Sequence, residues 1–141
     1  MNQVHKTNLS YIIDIPVVID EGKLMFAEIE KHIPFAIKRF YFISDIIPGA
    51  IRGMHAHKKT KQMLFCIRGS ITMALDNGNK RESFRMDKPE RGVFLDAMMW
   101  HEMSDFSSDS LLLVVASDPY EEEDYIRDYK TFIQLSGGKT T

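Results

Sequence analysis

The sequence predicts an all-β barrel or sandwich that ends in a single helix. Three observations predict it: the chain has 141 residues, its β-branched and aromatic residues fall into short segments, and turn-forming residues separate those segments. This length is typical of one domain built around one hydrophobic core. We therefore expect a single domain over residues 1–141.

Six segments rich in β-branched and aromatic residues are predicted to be strands. They are Tyr11–Ile19, Lys23–Ile29, Ala36–Ile47, Gln62–Ile67, Ile71–Leu75 and Leu111–Ala116. Between the last two of these, Asn77-Gly78 predicts a β-hairpin, because both residues tolerate the positive φ angles of a tight turn. Turn signals at such regular intervals are typical of a β-barrel or a β-sandwich.

One helix is predicted near the end of the chain, over about residues 119–134. Asp118 is placed as its N-cap and Pro119 at its first position, as the residue preferences of helix starts suggest. The acids at 121–124 would complement the positive end of the helix dipole rather than form a catalytic carboxylate pair. Apolar residues then recur at helical spacing up to Ile133. Residues 136–141 are predicted to be a frayed tail.

The net charge and the cysteine content limit the possible functions. The formal net charge of −2 argues against a general nucleic-acid binder, which would carry a basic excess. Cys66 is the only cysteine, and its apolar segment predicts a buried thiol in a reducing compartment. No apolar run reaches the length of a membrane span, and residues 1–10 lack the apolar centre of a signal peptide. We expect a cytoplasmic protein that binds neither nucleic acid nor membrane.

His55 and His57 carry the main functional signal. They alternate across Ala56, so in a strand both imidazoles would point to the same face. Gly49 precedes His55 by six positions, Gln62 follows His57 by five, and Gly69 follows Gln62 by seven. Such a pair could hold a metal ion, transfer protons, or be buried for structural reasons alone.

This spacing resembles the first motif of the cupin superfamily, Gly-x5-His-x-His-x4-Glu-x6-Gly. The one mismatch is Gln62, which stands at the position of the glutamate. His101 stands where the second cupin motif would supply a third histidine, although its neighbours depart from that motif. The resemblance implies a cupin fold, a double-stranded β-helix or jelly-roll barrel. A neutral amide is a much weaker ligand for divalent ions than a carboxylate, so we predict proton transfer and no bound metal.

A longer resemblance runs from about Ile33 to Tyr129 and identifies one cupin family. The segments that carry it are Ile33-Pro34-Phe35, Ile37–Tyr41, Arg52–Lys59, Trp100–Met103, Ala116–Asp118 and Asp124–Arg127. They resemble the sugar 3,4-ketoisomerases, which act on dTDP-4-keto-6-deoxyglucose. The resemblance implies an isomerisation without a cofactor, in which the C4 ketone becomes a hydroxyl and the C3 hydroxyl becomes a ketone. It also implies a role in the synthesis of 3-amino-deoxysugars for surface polysaccharides, and a homodimer that exchanges N-terminal strands.

The reaction requires a base for the C3 proton and a route that returns a proton to C4. Histidine suits both tasks because its pKa of about 6.5 lies close to neutrality. The resemblance implies that His55 is the carbon base and His57 its partner in proton transfer, whereas the spacing alone leaves their order open. It also implies that Tyr41 donates a hydrogen bond to the enediolate oxygen. For Tyr41, simple packing inside a barrel strand remains the alternative.

Five further residues are predicted to bind the substrate. Arg39, Arg52 and Lys58 lie beside the motif residues and could bind the diphosphate, for which guanidinium groups are suited. Gln62 and His101 are expected to line the barrel and to form hydrogen bonds with the sugar.

Three other functions are compatible with the sequence. A dTDP-sugar 3,5-epimerase, a related cupin, typically uses a His–Asp pair opposite a tyrosine, and the sequence shows no acid spaced suitably beside His55 or His57. A metal-dependent cupin oxygenase would bind a transition ion and lose activity to a chelator. A non-catalytic sugar-binding cupin would bind the nucleotide sugar without converting it.

Overall fold

Two antiparallel sheets make up most of the structure, a computed structural model that describes residues 3–137. The first sheet has the order β1-β2-β10-β7-β12-β5. Its strands are β1 (Gln3–Lys6), β2 (Tyr11–Asp14), β5 (Arg39–Ser44), β7 (Gln62–Arg68), β10 (Arg91–Leu95) and β12 (Leu111–Ala116). The predicted all-β class is confirmed.

The second sheet has the order β13-β6-β11-β8-β9. Its strands are β6 (Arg52–His57), β8 (Ile71–Asp76), β9 (Arg81–Met86), β11 (Trp100–Ser104) and β13 (Tyr125–Ile126). A separate hairpin pairs β3 (Val17–Ile19) with β4 (Lys23–Met25). Every pair of these strands is antiparallel, and two of the pairs, β3 with β4 and β8 with β9, are hairpins of consecutive strands.

The main core lies between the two sheets. It joins residues of the first sheet, such as Leu64, Cys66 and Val114, to residues of the second, such as Met73 and Leu75. All five are at most 1% exposed. The predicted burial of Cys66 is confirmed, and desolvation raises the pKa of its thiol to about 11. The two sheets therefore bury their facing surfaces as a barrel or sandwich does.

The predicted strands are present, but some are shorter than expected. The segment predicted as one strand over Tyr11–Ile19 is divided into β2 and β3, because Pro16 has no N–H to donate to a neighbouring strand. The Asn77-Gly78 hairpin is confirmed: it joins β8 to β9, and the Asn77 N–H donates to the Lys80 carbonyl. The polar strand β9 was not predicted, because its side chains are exposed or half-buried up to the buried Met86 and none of them is β-branched.

The predicted helix over residues 119–134 is wrong in its first half. Glu122–Asp124 form a 3-10 turn, β13 follows, and the helix α1 spans Tyr129–Ser136. The side chain of Asp128 caps α1 by accepting a hydrogen bond from the Thr131 N–H. Pairing of β13 with β6 provides hydrogen bonds that a helix over the same residues would lose.

The end of the chain also differs from the prediction. Ser136 belongs to α1, and Gly137 caps the helix with a φ of 74°. The remainder of the predicted tail, residues 138–141, lies outside the described residues. Across residues 3–137, none of the helices has the length and apolar character needed to cross a bilayer.

Candidate active site

Gly53 brings β6 and β11 close together at the site. Its φ is 85°, and a Cβ added there would lie 2.9 Å from the His101 carbonyl oxygen, so only glycine fits without a shift. The register of β11 against β6 shifts between His101 and Glu102, and His101 lies opposite His55. This irregularity places two of the predicted histidines side by side.

The structure brings the three predicted histidines into one cluster. Ring centroids are 4.5 Å apart for His55 and His101, 5.0 Å for His55 and His57, and 6.0 Å for His57 and His101. One nitrogen of each ring lies within 4.8 Å of the others. His57 and His101 are both 2% exposed, whereas His55 is half-buried and faces a cavity.

Each imidazole of the cluster is held through Nδ1 by an oxygen acceptor. The distances are 2.9 Å from His55 to the Gly53 carbonyl, 3.0 Å from His57 to the Asp124 carboxylate, and 3.2 Å from His101 to the Met99 carbonyl. Because these oxygens only accept, Nδ1 carries the hydrogen and Nε2 keeps its lone pair. Nε2 of His57 is buried and has no hydrogen-bond partner among residues 3–137.

Burial keeps all three imidazoles neutral near pH 7. Desolvation lowers the pKa of His55 to about 4. It also lowers the pKa of His57, although the hydrogen bond to Asp124 opposes this, and it lowers the pKa of His101 well below the usual value. The cluster can therefore accept protons at neutral pH.

Asp124 supplies the acid that the sequence did not reveal. The expectation that no acid lies beside His55 or His57 is wrong, because the Asp124 carboxylate contacts His57 from 67 positions along the chain. Burial raises the pKa of Asp124, but hydrogen bonds from Thr60, the Lys59 N–H and His57 outweigh it and hold the pKa below its usual range. The acids at 121–124 are therefore not all helix-start residues. One of them is part of the site.

Tyr41 and Gln62 form a pair inside the barrel. The Gln62 side-chain Nε2 donates to the Tyr41 hydroxyl at 2.8 Å, which leaves the phenolic hydrogen free to be donated elsewhere. Desolvation raises the pKa of Tyr41, so the phenol stays protonated. Gln62 is 1% exposed, and its Oε1 is without a partner in the described part of the chain.

Three arginines line the same cavity of about 300 Å³ as His55, His101 and Tyr41. They are Arg39, Arg52 and Arg127. The first two were predicted from the sequence. Lys58 is exposed and does not line this cavity, so its part in binding stays a prediction.

Arg127 and Tyr125 were missed from the sequence. The Arg127 guanidinium lies 4.3 Å from the centroid of the Tyr125 ring and pairs with both carboxylate oxygens of Glu122, at 2.9 and 3.1 Å. Both residues belong to the segment that was predicted as helix. If this segment is instead read as a strand paired with β6, its alternate residues fall on the face of β6 that carries the histidines. That alternation is the sequence signal that could have found Tyr125 and Arg127.

Comparisons with known proteins show which family this chain resembles. The family model described as FdtA, WxcM-like, C-terminal, matches residues 7–137. A TDP-4-oxo-6-deoxy-alpha-D-glucose-3,4-oxoisomerase of Aneurinibacillus thermoaerophilus is 46% identical over 122 residues, which cover 86% of this chain and 88% of that protein.

Similar solved structures also include 3,4-ketoisomerases. A 3,4-ketoisomerase from Helicobacter canadensis is 41% identical with a TM-score of 0.86, covering 89% of this chain and 96% of that one. A histidine-to-asparagine mutant of the 3,4-ketoisomerase QdtA from Thermoanaerobacterium thermosaccharolyticum, in complex with TDP-4-keto-6-deoxyglucose, is 33% identical. Its TM-score is 0.88, with 93% of this chain and 96% of that one covered. These neighbours confirm the cupin barrel that the histidine motif predicted.

Proposed function

The chain belongs to the FdtA family (WxcM-like, C-terminal), and we infer from this membership that it is a 3,4-ketoisomerase of TDP-4-keto-6-deoxyglucose. The observation that carries the inference is the 46% identity, over most of both chains, to a TDP-4-oxo-6-deoxy-alpha-D-glucose-3,4-oxoisomerase. The site agrees with it, because neutral imidazoles, a protonated phenol and guanidinium groups border one cavity.

The chemistry is a proton transfer between two adjacent carbons and their oxygens. A base removes the C3 proton, which the C4 ketone acidifies, and an enediolate forms. A proton then returns to C4, and the hydrogen of the C3 hydroxyl moves to the C4 oxygen, so that atoms balance without an oxidant. The protein must therefore supply a base, a hydrogen-bond donor and a shuttle for oxygen-bound protons.

His55 is the carbon base in this proposal. Its Nδ1–H donates to the Gly53 carbonyl, so the lone pair of Nε2 is available, and the low pKa of about 4 keeps the ring neutral. His55 also lines the cavity, whereas His57 is almost fully buried beside it. His57 is the partner that moves the oxygen-bound proton.

Tyr41 donates to the enediolate oxygen in this proposal. Its hydroxyl already accepts a hydrogen bond from Gln62, so its own hydrogen is directed to another acceptor. A phenol held protonated by burial can stabilise the oxygen charge that develops during enolisation.

The diphosphate is bound by the arginines at the cavity. Arg39 and Arg52 were proposed for this from the sequence, and Arg127 joins them in the structure. The guanidinium of Arg39 lies 5.6 Å from the Tyr41 ring centroid, and its Nε has no hydrogen-bond partner within residues 3–137. Guanidinium groups bind diphosphate oxygens in bidentate fashion.

We propose that the reaction needs no metal ion. His55, His57 and His101 are the residues that would hold a divalent ion, which would polarise the sugar carbonyl as a Lewis acid. The side chain at the position of the cupin glutamate is Gln62, a neutral amide already bonded to Tyr41, so this set lacks the charged oxygen that hard divalent ions prefer. Activity after chelation is the measurement that tests this.

One assay tests the whole proposal. Protein treated with a chelator is incubated with TDP-4-keto-6-deoxyglucose in deuterated water, and the sugar is followed by NMR. A ketone at C3 with deuterium at C4 is the expected result, and substrate that returns from the enediolate should carry deuterium at C3. Activity that returns only when a metal is added would contradict metal independence, and binding without conversion would indicate a sugar-binding protein.

A 3,5-epimerase is the second candidate, because the His57–Asp124 pair and nearby Tyr125 resemble the constellation expected of that reaction. The same assay separates the two. Exchange at C5 without movement of the ketone would support epimerisation and contradict the ketoisomerase.

We propose a homodimer that exchanges N-terminal strands. Its support is the apolar surface on strand β5, where Phe40 and Phe42 are 64% and 59% exposed, and on the β3–β4 hairpin, where Ile19 is 72% exposed. In the described chain, β5 pairs on one side only, with β12, and such edges and patches typically bind partners. Light scattering at micromolar protein should give twice the monomer mass, and a monomer would contradict the proposal.

A cytoplasmic location also remains part of the proposal. It is supported by Cys66, a buried free thiol of the kind found in reducing compartments. Fractionation of cells that contain the full chain tests it.

A further inference from the structure

Four consecutive acids follow Tyr120, and only one of them is buried. Glu121, Glu122 and Glu123 are exposed, whereas Asp124 is 5% exposed. A buried carboxylate is costly unless hydrogen bonds satisfy it. The position of Asp124 therefore requires specific partners.

Both oxygens of Asp124 are held by the end of β6 and the segment that follows it. Oδ1 accepts from the Lys59 N–H at 2.7 Å, and Oδ2 accepts from the Thr60 hydroxyl and from Nδ1 of His57 at 3.0 Å. The backbone is fixed as well, because the Lys58 N–H donates to the Asp124 carbonyl at 2.8 Å. The carboxylate thus has one orientation relative to His57.

This contact distinguishes His57 from its two neighbours. Nδ1 of His55 and of His101 faces a neutral backbone carbonyl, whereas Nδ1 of His57 faces a charged carboxylate. A carboxylate binds the Nδ1 hydrogen more strongly than a carbonyl does and so fixes both the tautomer and the ring plane. Nε2 of His57 is left as a buried lone pair, with the His55 ring centroid only 5.0 Å from its own.

We propose that Asp124 is a positioning residue that holds His57 as the Nδ1–H tautomer, so that its Nε2 can carry the proton exchanged between the two sugar oxygens. Nε2 takes the proton from one oxygen and returns it to the other, and the Nδ1 hydrogen stays on His57 throughout. The assignment rests on the ketoisomerase proposed above. It gives the two motif histidines different tasks, since His55 has no carboxylate partner.

The Asp124→Asn variant tests the role in turnover. The amide can donate to Nδ1 and thereby favour the opposite tautomer, so kcat should fall by up to about 10⁴-fold, the loss seen when the aspartate behind a catalytic histidine becomes asparagine. KM should change by less than about threefold, because Asp124 does not bind substrate. Glu123→Gln, in the same run of acids, is the matched control and should keep the wild-type kcat.

A second variant separates positioning from packing. Thr60→Val removes another hydrogen bond to the same oxygen while keeping the His57–Asp124 contact. It should lower the melting temperature as Asp124→Asn does, yet keep kcat within about threefold of wild type. Equal kcat losses in the two variants would overturn the proposal in favour of a structural role.

The tautomer of His57 can be measured directly by ¹⁵N NMR, in an experiment that does not depend on catalytic turnover. In ¹⁵N-labelled wild-type protein, His57 should show a protonated Nδ1 and an unprotonated Nε2 at neutral pH, and Asp124→Asn should reverse this. A wild-type Nε2–H tautomer would overturn the proposal. If the wild-type chain lacked ketoisomerase activity, the proposed function would fail, while the NMR result would still decide whether Asp124 sets the tautomer.

Discussion

Each histidine of the cluster is oriented by an oxygen from a different part of the chain. Gly53 lies on the same strand as His55, Met99 precedes His101 by two residues, and Asp124 comes from the segment before β13. Burial then keeps the rings neutral. At the scale of single residues, two factors set the reactivity of each imidazole. They are which ring nitrogen carries the hydrogen and how far burial excludes water from the ring.

Replacing the proposed base should abolish most of the activity. For His55→Asn we expect kcat to fall by about 10²- to 10⁴-fold, the usual contribution of a general base, with little change in stability. Turnover measured by NMR and the melting temperature check this. His5→Asn is the matched control, because His5 is exposed and contacts Asp14 instead. Wild-type turnover in His55→Asn would remove that residue from the mechanism.

The acid limb of the pH profile should lie well below the ordinary pKa of histidine. The base must be unprotonated, and desolvation lowers the pKa of His55 to about 4, so kcat/KM should stay level as pH falls through 6.5 and drop only below about pH 5. Initial rates at several pH values, with folding checked at each, measure this. An apparent pKa near 6.5 would contradict it.

Most residues of the site could be predicted from the sequence, because the histidine motif and its neighbours are local patterns. His55, His57 and His101 meet at or beside the cavity, as the motif spacing indicated, and Arg39 and Tyr41 line it, as the longer family resemblance suggested. The partner of His57 could not be predicted in this way. Asp124 is 67 positions away, and within a run of four acids nothing local marks the one that becomes buried.

The irregular pairing of β6 with β11 is the element that shapes the site. Gly53 has a φ of 85° and lies against the backbone of His101. A Cβ at this point would force the two histidine-bearing segments apart. The spacing of the histidines in the cluster therefore depends on Gly53, because only glycine allows β6 and β11 to approach this closely.

Gly53→Ala should harm both stability and activity. The added Cβ would lie 2.9 Å from the His101 carbonyl oxygen in a left-handed backbone conformation, so the free energy of unfolding should fall by about 1–3 kcal/mol. Displacement of His101 should lower kcat/KM by about tenfold or more. Urea denaturation and turnover measure the two effects. Gly22→Ala is the control, since nothing lies within 4 Å of that position.

The segment before α1 should contribute to substrate binding. Arg127 lines the cavity, and its pairing with Glu122 holds the guanidinium over Tyr125. In Arg127→Gln we expect KM to rise by about tenfold, the effect of losing one charge-assisted hydrogen bond, with kcat nearly unchanged. Arg91→Gln, which removes an ion pair with Asp14 instead, should keep the wild-type KM. A lower kcat at constant KM would contradict a binding role.

At the scale of elements, the sequence predicted the kinds of structure better than their boundaries. The apolar periodicity of Tyr129, Phe132 and Ile133 does belong to a helix, but the N-cap signal at Asp118 was followed by a turn and a strand. Local helix preferences there compete with tertiary hydrogen bonds to β6, and the latter prevail.

For the molecule as a whole, the histidine cluster should make stability depend on pH. The pKa values of His55, His57 and His101 are lower in the fold than in the unfolded chain, where they lie near 6.5. Below that pH the unfolded chain binds more protons, so stability is complete above about pH 6.5 and is lost as pH falls towards 4. Melting temperatures between pH 8 and 4.5 measure this. A constant value down to pH 5 would contradict it.

Cys66 is the single cysteine of the chain, and it lies in the core with its thiol pKa raised to about 11. Thiol reagents act on the thiolate, so near pH 7 the native protein should resist alkylation. A fluorophore attached to one introduced cysteine, as in Lys130→Cys at an exposed position of α1, would then carry the whole signal. Energy transfer between differently labelled copies could follow the exchange of subunits without removing a native residue.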